Sequence, residues 1–160
     1  MMSVVPGGFA DPGLSSSTSG DDFANVTLTG PADLAGMRAA VRRLLSGRGV
    51  DEATAEEIVL ATQEASKNAL TFTKGPDTCA SVTLRVVSGE VLVEVLDCGG
   101  GFDPTCEGLD TAGPLDEHGR GVFLMRRFMD TLEVEPRRVG CLVRMRKRVG
   151  RVELTGTGGG

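Results

Sequence analysis

The chain has 160 residues, a formal net charge of -5 and 40% apolar residues, which predicts one globular domain with its own core. The acidic balance argues against a nucleic-acid-binding protein, and six Phe without Tyr or Trp provide few rings for base stacking. No signal peptide and no apolar run of roughly 18 residues is visible. One His and four irregularly spaced Cys argue against a zinc cluster, and we interpret the cysteines as reduced thiols of a cytoplasmic protein.

Composition divides the chain into a domain and two tails. Residues 1–22 are rich in Gly, Ser, Pro and Asp, and residues 150–160 end in a similar Gly-rich stretch. Both segments offer too little apolar surface to offset the entropy of ordering them, so we predict a disordered N-terminal tail and a flexible C-terminal tail. The folded domain is predicted over residues 23–149.

The first half of the domain predicts one strand and two helices. Phe23 to Thr29 has strand character, and Pro31 suits the first turn of a helix that ends at Gly47. Asp51 is a plausible N-cap for a second helix. Apolar residues then recur at helical spacing as far as Gly75.

The second half predicts two β-hairpins. Val82 to Val87 and Val91 to Leu96 are β-rich runs joined by a short turn that contains Gly89. Thr131 to Glu135 and Cys141 to Arg146 repeat this pattern. The seven basic residues between positions 137 and 151 are interpreted as the exposed edge of the last hairpin, where charge discourages aggregation.

A long Gly-rich segment separates the hairpins and ends in a short predicted helix from Val122 to Met129, for which Phe123, Leu124 and Phe128 are expected core residues. With so few helices, only one face of a sheet can be covered. We therefore predict an α+β fold. It is a two-layer α/β sandwich with a mixed, mostly antiparallel sheet and helices on one face.

Three segments contain residues suited to chemistry. Glu64 and Asn68 lie four apart on the second helix and share a face, where they could polarise a hydroxyl group and hold hydrated Mg²⁺. Asp97 follows an apolar strand and precedes three glycines that permit close approach of a ligand. Gly119 and Gly121 precede the third helix, whose free N–H groups suit phosphate. Each segment alone is also common on ordinary surfaces and loops.

Together, the three segments resemble the Bergerat family of ATP-binding domains, which includes histidine kinases and gyrases. Glu64-x-x-x-Asn68 resembles the N box of that family. Asp97-x-Gly99-x-Gly101-Phe102 resembles its first glycine box, and Gly119-x-Gly121 resembles its second. The run from Gly119 to Asp130 is most similar to the anti-sigma-factor serine/threonine kinases.

This resemblance implies a role for each residue. Asp97 would accept a hydrogen bond from the adenine amino group, Asn68 would ligate Mg²⁺, and Glu64 would orient or deprotonate the attacking hydroxyl group as the catalytic residue. The other implied contacts with the nucleotide come from the two glycine boxes: Gly99, Gly101, Phe102, Gly119, Arg120, Gly121 and Val122.

The resemblance also implies a function and partners. The chain would be a cytoplasmic, homodimeric kinase that uses ATP and Mg²⁺ to phosphorylate a serine or threonine of an antagonist protein. It would otherwise sequester a sigma factor. Two departures from the pattern are Phe72, where many relatives have His, and Cys141, which follows Gly140 where they have Thr.

Three alternatives stay open. The first is a non-catalytic ATP-binding regulatory module that holds a protein partner without phosphorylating it. The second is the ATPase domain of a histidine kinase, which the absence of a preceding helix with a phosphoacceptor His disfavours. The third is an ATP hydrolase without a protein acceptor.

Overall fold

A computed structural model describes residues 23–72, 79–97, 117–137 and 140–150 of the chain. The side chains of residues 72 and 117–119 are outside this description. The two predicted tails, apart from Gly150, also lie outside the described residues. So do Gly99, Gly101 and Phe102 of the first glycine box.

The described residues form a five-stranded antiparallel sheet with three α-helices, which confirms the predicted α+β fold. All four strand pairings are antiparallel, so the described sheet is not mixed. The strand order is β1-β2-β3-β5-β4. The strands are β1 (Phe23–Leu28), β2 (Ala80–Val87), β3 (Glu90–Asp97), β4 (Thr131–Pro136) and β5 (Cys141–Arg148).

Both predicted hairpins are present. In the first, β2 and β3 are joined by a two-residue turn in which Ser88 and Gly89 have φ angles of 47° and 78°. Positive φ at both central residues matches the right-handed twist of the flanking strands, and Gly adopts it without steric cost. In the second, β4 pairs with β5, and Pro136 lies opposite Cys141.

Three α-helices follow the predicted order. A short 3-10 turn (Pro31–Asp33) precedes α1 (Leu34–Gly47), and α2 spans Glu52–Phe72. The third helix, α3, spans Glu117–Phe128 and therefore begins earlier than the predicted Val122. Asp51 caps α2 as expected, because its Oδ2 accepts a hydrogen bond of 3.0 Å from the backbone N–H of Thr54.

The helices cover one face of the sheet and enclose the core. Alternate residues of the central strands point to this face, for example Val91, Val93 and Val95 of β3, which are at most 1% exposed. The helices contribute apolar residues at helical spacing: Met37, Val41 and Leu45 from α1, Ile58, Ala61 and Ala65 from α2, and Val122, Met125 and Met129 from or just after α3. No helix among these described ranges is long and apolar enough to cross a membrane.

The opposite face of the sheet carries charged side chains beside apolar ones such as Leu92 and Leu142. Arg144 of β5 lies 2.8 Å from Glu94 of β3 and 3.6 Å from Glu133 of β4. The basic residues of β5 are therefore not at an edge of the sheet, because β5 lies between β3 and β4. The interpretation of the basic residues of β5 as an exposed sheet edge is wrong. Arg144 is instead part of an ion-pair network that connects β3, β5 and β4.

Two further expectations are corrected. Phe123 is 47% exposed and is not a core residue, whereas Phe128 does pack against the core and Leu124 is partly buried. Cys79 and Cys141 are both disulfide-bonded, so the interpretation of reduced thiols is wrong for these two residues.

The cap of α2 predicts a pH-dependent contribution to stability. Hydrogen bonds from Thr54 lower the pKa of Asp51 from its ordinary value of 3.8, because they favour the ionised carboxylate. A lowered folded-state pKa gives stability that is fully present above the ordinary value and is lost as pH falls through the folded-state value.

Asp51→Ala should therefore lower the thermal unfolding midpoint at pH 7, and the difference from the unsubstituted chain should shrink progressively below pH about 4. Asp51→Asn is the matched control, since it keeps a capping oxygen without a titrating group. Thermal unfolding followed by circular dichroism measures both variants. A difference for Asp51→Ala that stays constant down to pH about 2 would contradict the assignment.

Candidate functional site

Glu64 and Asn68 lie together against Gly121, where α2 packs on α3. A Cβ atom placed on Gly121 would lie 3.0 Å from Oε1 of Glu64 and 3.6 Å from Nδ2 of Asn68. The absence of a side chain at this position lets the carboxylate and the carboxamide approach the backbone of α3 closely. The structure thus brings the predicted N box and part of the second glycine box into one site.

The Glu64 carboxylate is largely enclosed but has a cationic neighbour. Its side chain is 16% exposed, and Nζ of Lys67 lies 3.7 Å from its Oε2. Lys67 itself is half exposed, so this pair is screened by solvent. The preceding residue, Gln63, faces the other way and accepts a hydrogen bond of 2.6 Å from Arg38 of α1. The Arg38–Gln63 hydrogen bond therefore joins α2 to α1, on the side away from Glu64.

Asn68 has an unsatisfied polar atom in this site. Its Nδ2 atom is buried and has no hydrogen-bond partner among the residues that the structure describes. An unpaired buried donor costs about 1–3 kcal/mol, so such a group is suited to bind a ligand oxygen. Rotation of the amide by half a turn would place Oδ1 at the same point, and carboxamide oxygens are ligands that Mg²⁺ accepts.

Asp97 ends β3 on the face that the helices cover, and it is 6% exposed. Gly140, directly before β5, packs against it with a φ of +79°. A Cβ atom on Gly140 would overlap the carbonyl oxygen of Asp97 and lie 3.2 Å from its Oδ1. The turn before β5 therefore places a glycine where any side chain would displace the Asp97 backbone and carboxylate.

The second glycine box lies inside α3 and does not precede it. Since α3 begins at Glu117, Gly119 and Arg120 are in its first turn, and the N–H group of Gly119 is among those that lack a partner within a helix. Arg120 is exposed. Val122 is 2% exposed and belongs to the core.

The sequence indicates Gly140 only as a match to a family position and does not predict its contact with Asp97. The one local signal for this contact is the presence of a glycine in the turn directly before β5. Phe72, which departs from the family pattern, is the last residue of α2.

The family follows from comparison with known proteins. The family profile described as "Histidine kinase-like ATPase domain" matches residues 29–147, which is most of the chain. The chain therefore belongs to this family, as its three motifs predicted. Membership of an ATPase-domain family implies ATP binding. A search of curated protein sequences finds no match.

Two solved structures share the fold. The RsbU and RsbW domains of Rv1364c from Mycobacterium tuberculosis align with a TM-score of 0.59 and 18% identity over 79% of this chain. This chain spans only 32% of that protein chain. The SiaB–SiaC complex from Pseudomonas aeruginosa aligns with a TM-score of 0.58 and 12% identity, over 79% of this chain and 89% of its counterpart.

Gly121→Ala tests the contact between α2 and α3. Alanine favours a helix interior by up to about 1 kcal/mol over glycine, so the variant should stay folded. Its Cβ would lie 3.0 Å from Oε1 of Glu64 and 3.6 Å from Nδ2 of Asn68, so these side chains must shift by a few tenths of an ångström. Because the Asn68 amide is the group suited to bind Mg²⁺ or a phosphate oxygen, we expect affinity for an ATP analogue to fall about tenfold, or about 1.4 kcal/mol.

Gly36→Ala in α1 is the matched control, because its Cβ would meet no atom within 4 Å. It should gain similar helix propensity and keep its affinity for the analogue. Calorimetric titration and thermal unfolding measure both quantities. Equal affinities of the two variants would show that the glycine contact is irrelevant to the nucleotide.

Gly140→Ala tests the contact with Asp97. An alanine at positive φ costs about 1–2 kcal/mol in backbone strain, and here the Cβ also overlaps the Asp97 carbonyl. Gly150→Ala is the control, since it has a φ of +80° and open space around the added Cβ. We expect Gly140→Ala to lose more unfolding free energy in urea than Gly150→Ala, and to lose analogue binding as well. A loss no larger than that of the control would contradict the clash.

Proposed function

We propose that this chain is an ATP-dependent serine/threonine protein kinase of the anti-sigma-factor type. It would phosphorylate an antagonist protein and sequester a sigma factor. The observation that carries the proposal is the placement of Glu64 and Asn68 together against Gly121. A bare nucleotide-binding fold needs no carboxylate at this point, whereas phosphoryl transfer to a hydroxyl group benefits from a base there.

The residues present fit ATP and Mg²⁺. The unpaired buried amide of Asn68 offers a ligand for the cation or a donor for a phosphate oxygen. The free N–H groups of the first turn of α3 suit phosphate, and Arg120 adds an exposed positive charge. The buried carboxylate of Asp97 is suited to accept from an adenine amino group. When bound, ATP supplies the phosphoryl group and Mg²⁺ neutralises phosphate charge.

The protein residues would position and activate the acceptor. Glu64 accepts the proton of the attacking serine or threonine hydroxyl group, or orients that group, from a position held by α3 on one side. Asn68, one turn further along α2, fixes the phosphates relative to Glu64. Because phosphoryl transfer depends mainly on positioning and on charge neutralisation, this small set is sufficient.

Protein partners complete the proposal. One of the two similar structures is a complex of SiaB with SiaC, which supports a role in which a domain of this fold acts on or binds another protein. Phosphorylation of an antagonist adds charge at its binding surface and releases it, so that the kinase is free to hold the sigma factor. We also propose a homodimer and a cytoplasmic location, both on the resemblance to the anti-sigma-factor kinases.

The second candidate is a non-catalytic ATP-binding module that holds a partner. The observation that favours it is Cys141, which is buried and disulfide-bonded at the position where the related kinases have Thr. Both candidates require Asp97 for nucleotide binding, but only the kinase requires Glu64 for transfer.

Transfer of labelled phosphate from ATP to a candidate antagonist protein separates the two. Glu64→Gln should lower the transfer rate by about 10²–10⁴-fold, the usual contribution of a general base, and leave analogue affinity nearly unchanged. Glu57→Gln is the control, because this residue lies on the same helix and pairs with Lys147, at 3.4 Å. Binding of ATP without transfer to any antagonist would reject the kinase and leave the binding module.

A second pair of variants tests the proposed contact of Asp97 with the adenine amino group. Asp97→Asn should weaken analogue binding at least about tenfold, since a hydrogen bond to a charged group contributes about 1.5–3 kcal/mol. Glu94→Gln is the matched control and should keep its affinity for the analogue. Glu94 lies on the same strand as Asp97, but it points to the opposite face and pairs with Arg144. Unchanged affinity in Asp97→Asn would refute its adenine contact.

A further inference from the structure

Helix α3 carries an exposed aromatic residue between basic residues on the side that faces away from the core. Phe123 is 47% exposed, and Arg120 and Arg127 are exposed as well. Residues at positions i, i+3 and i+7 share one face of a helix, so these three side chains form a single stripe. We refer to Arg120, Phe123 and Arg127 as the α3 stripe.

The α3 stripe differs in charge from the molecule that bears it. The whole chain has a net charge of -5, yet residues 120–129 contain three arginines and no acidic residue. A local positive field on an acidic protein attracts an acidic partner and repels copies of the same molecule. Phe and Arg are also two of the residue types that are enriched at protein interfaces relative to the rest of the surface.

The opposite side of α3 explains why an interaction here would matter. Gly121 contacts Glu64 and Asn68 from this helix, and Arg127 lies about 9 Å further along it at 1.5 Å per residue. At its other end α3 is tied down, because Nζ of Lys147 donates a hydrogen bond of 2.7 Å to the carbonyl of Phe128. A partner that binds the stripe would therefore contact the same helix that packs against Glu64 and Asn68 of the proposed nucleotide site.

We propose that the α3 stripe docks a partner protein through a segment that presents acidic residues around one apolar side chain. Phe123 contacts the apolar side chain, and Arg127 pairs with a carboxylate beside it, whereas Arg120 adds positive charge at the end of the stripe nearest the nucleotide site. The proposal deepens the proposed function by naming the surface and chemistry of partner binding. It rests on that function only for the existence of a protein partner.

A designed peptide tests the chemistry directly. The probe is a fluorescein-labelled amphipathic helical peptide whose one face carries leucines and glutamates, and fluorescence anisotropy measures its binding to the full chain at low salt. Two matched peptides replace each glutamate by glutamine or each leucine by serine. We expect only the first peptide to bind with a Kd below about 1 mM, and we expect added salt to weaken it.

Variants locate the binding. Phe123→Ser and Arg127→Glu should each raise the Kd of the first peptide about tenfold or more, which is the size of effect seen for central interface residues. The controls are Phe23→Ser, a Phe of similar exposure on β1, and Arg43→Glu, an exposed arginine of α1. Both should stay within about twofold of the unsubstituted chain.

Several results would overturn the proposal. These are no binding of the first peptide, equal binding of the glutamine peptide, equal losses in the control variants, or tighter binding of duplex DNA or anionic vesicles through the same residues. Affinity of Phe123→Ser for the ATP analogue separates this proposal from the proposed function. That affinity should be unchanged in this variant. A failure of the peptide to bind would then count against the α3 stripe only, and an absence of phosphate transfer would count against the kinase only.

Discussion

The close packing of α3 on α2 at Gly121 is the contact on which the rest of the site depends. Without a side chain at this position, the two helices approach until the Glu64 carboxylate and the Asn68 amide lie against the backbone of α3. This contact joins the helix that carries the acidic group to the helix whose first turn has free N–H groups. It also leaves Nδ2 of Asn68 buried without a partner in the described residues, a state that a bound ligand would relieve.

A second glycine makes a similarly close contact with Asp97 at the end of β3. Gly140 adopts a positive φ directly before β5, and its bare Cα faces the backbone and carboxylate of Asp97. The interior position of β5 gives this contact its importance, since β5 pairs with β3 on one side and with the edge strand β4 on the other. The end of β3 is therefore held by a strand that is itself buried in the sheet.

The two faces of the sheet carry different kinds of side chain. The helix-covered face of the sheet contains the apolar core and Asp97, whereas the opposite face has an ion-pair network in which Arg144 contacts Glu94 and Glu133. Partly exposed ion pairs of this kind contribute little free energy, so the network is better understood as setting strand register and specificity. The proposed docking stripe lies on neither face of the sheet but on the outward side of α3.

The sequence by itself determined the features that depend on local pattern. Helical spacing placed Glu64 and Asn68 on one face of α2, Asp51 was recognisable as its cap, and both hairpins followed from strand character with a Gly-containing turn between. The order of the three motifs was enough to predict the family that the profile match shows. These features need only neighbours within one or two turns of chain, which is why one sequence can reveal them.

The tertiary structure alone decided how distant segments meet. The third helix begins at Glu117, Phe123 points away from the core, and β5 takes an interior place in the sheet. The spacing of Phe123 on an amphipathic helix is compatible with either face, because a helix's rotation is set by what it packs against. The contacts of Gly121 with Glu64 and of Gly140 with Asp97 likewise join residues more than forty positions apart, whose proximity arises only when the helices and strands pack.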